Sequence, residues 1–257
     1  MVTITAAAQA RRYEEKVVLV VGAGAGAGRA TALRFGLEGA KVVAVARSEE
    51  HVTGAREALE AHGVTCAALQ ADVATEEGAE AAVRTAAETF GGLDVLVSTA
   101  GGYEGGGLDQ TDGAALERML DLNLRAAFQS ARAAAPEIVK RGRGAIVLTT
   151  AVFGGVVPGP GLLAYNTSKA ASTGFVRSLA GELAERNVRV NAILPGGISH
   201  EFDVEKDAAA DRLLTKGPAL PQDIAAAAAF LASEEATWIT GASLVVDGGF
   251  SVIRKPY

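Results

Sequence analysis

Cysteine is almost missing from this chain: Cys66 is the single one in 257 residues. One thiol cannot close an internal disulfide, so no oxidising-compartment framework is present. Cys66 reads as a small hydrophobe on a strand. Histidine is scarce as well. His51, His62 and His200 are scattered along the chain, and no zinc or other metal site is expected from them. An excess of positive charge is absent too. Lys and Arg number 24 against 30 Asp and Glu, giving a formal net charge of -6, which argues against a nucleic-acid partner. No apolar run is long enough to span a bilayer. The first residues lack the basic start and apolar core of a signal peptide. The expected location is cytoplasmic, with no membrane partner. Linkers, low-complexity tracts and charge blocks are also wanting, so one domain is expected over residues 16–257, preceded by an N-terminal extension over 1–15.

What the chain does contain is apolar residue, 49% of the total, enough for a sizeable core without a metal or disulfide staple. Short β-branched runs recur at 16–21, 41–45, 65–69, 93–97, 145–148, 189–194 and 243–246. Such runs suit strands buried on both faces of a parallel sheet. Ala-rich, charge-dotted stretches of helical length lie between them, at 29–38, 49–62, 76–90 and 114–140, and Pro136 is expected to kink or end the last. The alternation implies an α/β chain: a doubly wound, seven-stranded parallel sheet with helices on both faces. Residues 196–221 interrupt the alternation. A long insertion after a strand suits a lid over an active site, placed around 197–220.

The first strand runs into Gly22-Ala-Gly24-Ala25-Gly26-Ala27-Gly28, with a helix expected to begin near Arg29. Glycine lets a backbone turn sharply and approach a ligand closely. Open N–H groups at the helix start then face a pyrophosphate, favoured by the helix dipole. The bland alternative is a structural turn. Its place after a buried strand and before a helix favours a Rossmann-type dinucleotide site instead. An NAD site of this type has an acid at the end of the second strand, bonded to the ribose. Here the strand ends Val45-Ala46-Arg47-Ser48. A guanidinium pairs well with a phosphate, so NADP(H) is favoured and NAD(H) is the alternative. Arg47 could otherwise stack on adenine or lie in solvent.

Tyr165 and Lys169 stand four apart on a helical stretch over 165–186 and so share a face. An ammonium near a phenol favours phenolate and makes a general acid/base of it. Alone, the pair reads equally as an amphipathic helix. It does not stand alone, because the chain resembles the short-chain dehydrogenase/reductase family over nearly its whole length. Gly22, Gly26 and Gly28 match that family's first motif, with Val21 where threonine is usual. Asp72, beside Val73, matches its adenine-binding aspartate. Ser98-Thr99-Ala100-Gly101 is similar to its Asn-Asn-Ala-Gly motif with both asparagines replaced. Asn123, Tyr165 and Lys169 fall on its catalytic residues, Pro195-Gly196 on its motif after the sixth strand, and Val246-Asp247-Gly248-Gly249 on its C-terminal signature.

The resemblance implies a hydride transfer between a nicotinamide and a carbonyl or secondary alcohol, as in the 3-oxoacyl thioester and carbonyl reductases. It implies a proton from Tyr165, a Lys169 that lowers the tyrosine pKa and holds the ribose, and an Asn123 that orients water. It further implies cofactor contacts at Ala100, Gly101, Pro195, Gly196 and Ile198, and a homotetramer or dimer. The helix 223–232 and the C-terminal segment are candidate interface elements. The family's serine after the fifth strand is missing. Thr150 is the expected stand-in, with a two-residue insertion in the Pro158–Pro160 loop; strict counting lands on Val152, which has no hydroxyl. His200 stands where a threonine is usual, and Ser199 is its substitute. Tyr103, Phe153, Leu162 and Leu163 are candidate pocket walls, with Phe202 and the stretch 201–211 on the lid. The competing functions are an NAD-dependent alcohol or sugar dehydrogenase and a catalytically weakened dinucleotide sensor.

Overall fold

The computed structural model describes residues 11–198 and 219–252. Ser199, His200, Phe202, the stretch 201–211, nearly all of the expected lid, residues 1–10 and residues 253–257 lie outside the described residues.

Seven strands form one parallel sheet: β1 (Val17–Val21), β2 (Lys41–Ala46), β3 (Cys66–Gln70), β4 (Val95–Ser98), β5 (Gly144–Thr149), β6 (Val188–Pro195) and β7 (Ser243–Val246), in the order β3-β2-β1-β4-β5-β6-β7. Every residue of β1 is buried. Val17, Leu19 and Val21 point to one face, and Val18 and Val20 to the other. Alternate side chains of a strand face opposite ways, so a strand covered on both sides must be apolar throughout.

Helices supply the two covers. On the Val17 side lie α3 (Glu76–Phe90), α5 (Ala126–Lys140) and α6 (Leu163–Leu183). On the Val18 side lie α1 (Gly26–Leu37), α2 (Glu49–Glu60) and α7 (Pro221–Ala232). The strand order reverses between β1 and β4, which are parallel neighbours: the chain adds β2 and β3 on one side of β1 and β4 to β7 on the other. Ligands of such sheets bind where this reversal opens a crevice at the strands' carboxyl ends.

Helix bounds depart from the sequence expectation in two places. The helix after the glycine turn starts at Gly26 rather than near Arg29. The expected helix over 114–140 is broken, but not at Pro136, which α5 accommodates. The break is a π-helical turn, Asp121–Arg125, between α4 (Gly113–Leu120) and α5. Such bulges insert a residue into a helix and re-aim its side chains, often at functional sites. Asn123 sits in this one.

Within residues 11–15, Arg12 and Tyr13 pack against the fold. Tyr13 is buried, its ring edge-on to Phe35 at 4.5 Å and its hydroxyl donating to the Ala229 carbonyl. Arg12 donates to both oxygens of Glu38, at 2.6 and 2.8 Å, and Arg34 donates to one at 2.5 Å. The Glu38 side chain is fully buried, and the two guanidiniums hold its carboxyl below the usual carboxylate range. Removing one partner of a buried ionic group costs about 3 kcal/mol or more because the others lose their counter-charge. Glu38→Ala should therefore lower the melting temperature by roughly 10 °C, measured by calorimetry; an unchanged melt would show that this cluster contributes little.

Candidate active site

The first half of the site is built by close approach. Gly22 has φ +82, and a Cβ there would lie 2.6 Å from the Ala100 nitrogen. A Cβ on Gly28 would lie 2.0 Å from the Gly22 carbonyl oxygen. Only glycine lets the ends of β1 and β4 and the start of α1 meet this tightly. Thr99 fastens the junction, its hydroxyl donating to the Val21 carbonyl at 2.9 Å and lying 3.3 Å from that of Gly22. At Gly26 a Cβ would meet open space. Ala27 packs on the α1 side of the core.

Side chains cap α2, α3 and α4: Ser48, Thr75 and Asp112 accept from His51, Gly78 and Ala115. The start of α1, at Ala25, has no side-chain cap. Its first N–H groups are thus available to an anion.

This junction opens into a cleft of about 530 Å³ lined by Gly22, Gly24, Ala25 and, further along, Ala100 and Gly101. The end of β2 contributes Arg47, Ser48 and His51, and the end of β3 contributes Asp72 and Val73. Among the described residues, the Arg47 guanidinium forms no ion pair; only its carbonyl is engaged, by Gln70 at 3.0 Å. Asp72 Oδ1 accepts from the Ala74 nitrogen at 3.0 Å, which fixes the turn after β3. An open glycine turn, an uncapped helix start, a free guanidinium and a carboxylate in one elongated cleft fit a dinucleotide. A larger cleft, about 730 Å³, lies at the other end of the sheet between Arg12, Asp94, Arg143 and Trp238. It is at the strands' amino ends, away from the glycine turn.

The second half of the site is organised by Asn123. Its side chain is buried and bonds Gly102 twice, accepting from the nitrogen at 3.0 Å and donating to the oxygen at 3.1 Å. Nδ2 also donates to Ser168 Oγ at 3.0 Å, and the Asn123 carbonyl accepts from Ser172 Oγ at 3.2 Å. Asn123 therefore fastens the strand β4 loop to α6, one turn from Tyr165 and Lys169. Lys169 is buried, its Nζ 3.5 Å from the Thr149 carbonyl and 5.8 Å from the centre of the Tyr165 ring. A Cβ on Gly101 would lie 2.8 Å from Asn123 Oδ1 and 3.1 Å from Lys169 Nζ. Gly101 is thus where the cleft and the α6 pair meet.

Not every expected residue joins this group. Thr150 is buried, and its hydroxyl lies 3.4 Å from the Ile193 carbonyl on β6, to which it donates. No hydrogen bond ties it to Tyr165 among the described residues. Val152, the other candidate position, is buried and apolar. Pro195 ends β6, and Gly196 pairs with Val246 at 3.1 Å; Ile198 bridges to Ala219. These three stand at the end of β6 rather than in the cleft lining. The electrostatics also differ from expectation. Burial, with a contribution from Tyr103, pushes the Tyr165 phenol above its usual pKa, and burial pushes Lys169 down to about 8. Desolvation disfavours the charged form of each. Ser48 and Thr99, which the sequence displays within the β2 end and the Asn-Asn-Ala-Gly-like motif without a site role, also line the cleft, and so does His51, which no motif marks.

Comparison with known proteins accords with this geometry. A family model described as Enoyl-(Acyl carrier protein) reductase matches residues 22–251. The chain is 38% identical over 247 residues to 3beta-hydroxysteroid dehydrogenase 1 of Eggerthella lenta, covering 92% of this chain and 94% of that one. The chain belongs to the short-chain dehydrogenase/reductase family. It is also 36% identical over 250 residues to 2,5-dichloro-2,5-cyclohexadiene-1,4-diol dehydrogenase LinX of Sphingobium indicum, covering 95% of this chain and 99% of its relative. Among solved structures, a 7 alpha-hydroxysteroid dehydrogenase complexed with NADH and 7-oxo glycochenodeoxycholic acid matches with TM-score 0.84 and 31% identity, over 93% of this chain and 96% of that one. The protein is therefore an oxidoreductase of a family that uses NAD(H) or NADP(H). No described helix is long and apolar enough to cross a membrane.

The Lys169 shift has a measurable consequence. Its pKa falls from 10.5 to about 8 on folding. Between these values the unfolded chain holds the extra proton, so this group makes stability rise with pH across that window. Below about pH 8 the cost of burying the cation is present in full. Lys169→Met should melt higher than the wild type at pH 7, with the gap narrowing as the pH approaches 10. A gap independent of pH would contradict the depressed pKa.

Proposed function

We propose that this protein interconverts a carbonyl compound and the matching secondary alcohol with NADP(H), using Tyr165 as general acid/base. The observation that carries this reading is the meeting of two halves at Gly101: the glycine-turn cleft on one side, and Asn123, Lys169 and Tyr165 on the other.

A bound nicotinamide would supply or accept the hydride. The glycine turn and the start of α1 would hold the pyrophosphate, Asp72 and Val73 the adenine, and the ends of β5 and β6 would border the nicotinamide. Tyr165 gives a proton to the carbonyl oxygen in reduction and recovers it in oxidation. Burial keeps the phenol protonated near neutral pH, the form that reduction needs. Lys169 holds its ammonium beneath the ring, and Asn123 fixes both α6 and the loop at Gly102. Thr150, whose hydroxyl lies 3.4 Å from the Ile193 carbonyl, would turn that hydroxyl to the same substrate oxygen as a stabilising donor. The reading includes a cytoplasmic setting, and the homotetramer or dimer that the family likeness implies.

Arg47 favours NADP(H), since a free guanidinium at the end of β2 suits a 2′-phosphate. One neighbour's complex with NADH favours the NAD(H) alternative. Cofactor titration separates them. Arg47→Asp should weaken NADPH binding by about 10- to 100-fold while NADH binding changes little; equal losses would remove Arg47 from this role. Tyr165→Phe should lower kcat by at least about a hundredfold with NADPH binding retained, measured by nicotinamide absorbance across a panel of ketones and alcohols. Full turnover in that variant would overturn the mechanism, and no turnover by the wild type with either cofactor would favour the sensor.

A further inference from the structure

Tyr103 combines features that rarely occur together. Its ring is 69% exposed, yet its neighbours in the chain are fixed on both sides. Gly102 is bonded twice by Asn123. Glu104 forms a bidentate pair with Arg118, at 3.2 and 2.8 Å. Gly106 donates to the Gly161 carbonyl at 2.7 Å and accepts from the Leu163 nitrogen at 2.9 Å, joining this loop to the entrance of α6. The Tyr103 ring stands edge-on to the Tyr165 ring, with centroids 5.3 Å apart. The Tyr103 hydroxyl lies over Gly105, where an added Cβ would sit at ordinary contact distance, 3.9 Å, from it.

The apolar exposure continues around this point. Leu108 and Leu163 are exposed on either side of the Gly106 junction. Beyond it, Phe153 packs on Phe250 at 5.6 Å, and Phe250 is itself exposed. Exposed apolar side chains gathered beside a reactive group mark a binding surface rather than ordinary packing. The nearest acid, Glu104, is neutralised by Arg118, so the lip offers a flat apolar face and little free charge.

We infer that Tyr103 is a specificity-determining residue whose ring forms the substrate wall facing Tyr165 and selects apolar, cyclic ketones or alcohols over small acyclic ones. This rests on the oxidoreductase reading above. A rigid ring buries its face against a flat hydrocarbon without losing much side-chain freedom on binding. An acyclic molecule of few carbons covers less of it and gains less.

The test uses the purified full chain and two probes, 2-decalone and butan-2-one. The readout is the ratio of kcat/KM for the two ketones in wild type, Tyr103→Phe and Tyr103→Ala. Tyr103→Ala should lower the ratio by about tenfold, and Tyr103→Phe should keep it. An unchanged ratio in Tyr103→Ala would overturn the inference. So would an equal fall in Tyr103→Phe, which would assign selection to the hydroxyl instead of the ring. Calorimetric titration of 2-decalone into wild type and Tyr103→Ala gives a second reading, with about tenfold weaker binding expected in the variant and equal binding overturning the idea. Should the wild type reduce neither ketone, the proposed reaction fails while the titration still decides the role of Tyr103.

Discussion

The site depends on one buried amide. Asn123 bonds the main chain of Gly102 on one side and Ser168 on the other, and its own carbonyl accepts from Ser172. A regular helix through residue 123 would place that side chain at a different angle. The π-helical turn re-aims it, and the amide then joins two parts of the chain that the sheet alone leaves independent. One is the loop after β4, which carries the floor of the cleft and the Tyr103 arm. The other is α6, which carries Tyr165 and Lys169. Buried polar networks of this kind specify geometry when every member is satisfied, and here the donors and acceptors of the asparagine all find partners.

A second constraint acts at the other end of the same loop. Gly22, Gly28 and Ala100 approach within distances that no side chain would permit. The absence of Cβ atoms, and the Thr99 hydroxyl across the gap, hold β1, β4 and α1 at a fixed spacing. The cleft therefore exists as a consequence of backbone packing, and its anion-facing helix start is left open by Ala25, where Ser48, Thr75 and Asp112 close those of α2, α3 and α4. The polar functional groups are few and late additions to a frame set by glycine, alanine and valine.

That division explains what could be read from the sequence. The seven strands were legible because β1, β2 and their neighbours are apolar on both faces, a pattern that survives without any tertiary information. The glycine turn and the Tyr165–Lys169 spacing were legible because they are local. The break at Asp121–Arg125 was not, since a π-helical turn leaves the same residue types in the same order as a continuous helix, and Pro136 was the more visible irregularity. The role of residues 11–13 was hidden for a related reason: Tyr13 and Arg12 find their partners, Ala229 and Glu38, far along the chain. At Thr150 a hydroxyl stands at the expected place in the sequence, and the β5–β6 pairing sets it 3.4 Å from the Ile193 carbonyl, a contact no motif displays.

The electrostatic reading follows from the same packing. A lysine brought close to a tyrosine in water would favour the phenolate. Here both groups are withdrawn from water, and desolvation acts on each in the direction that disfavours charge: up for the phenol, down for the ammonium. With its pKa lowered to about 8, Lys169 still carries its proton near neutral pH, 5.8 Å from the centre of a ring whose phenol stays neutral. On the proposed reading, the protonated phenol gives its proton to the developing alkoxide, and the ammonium four residues on stabilises the phenolate that remains.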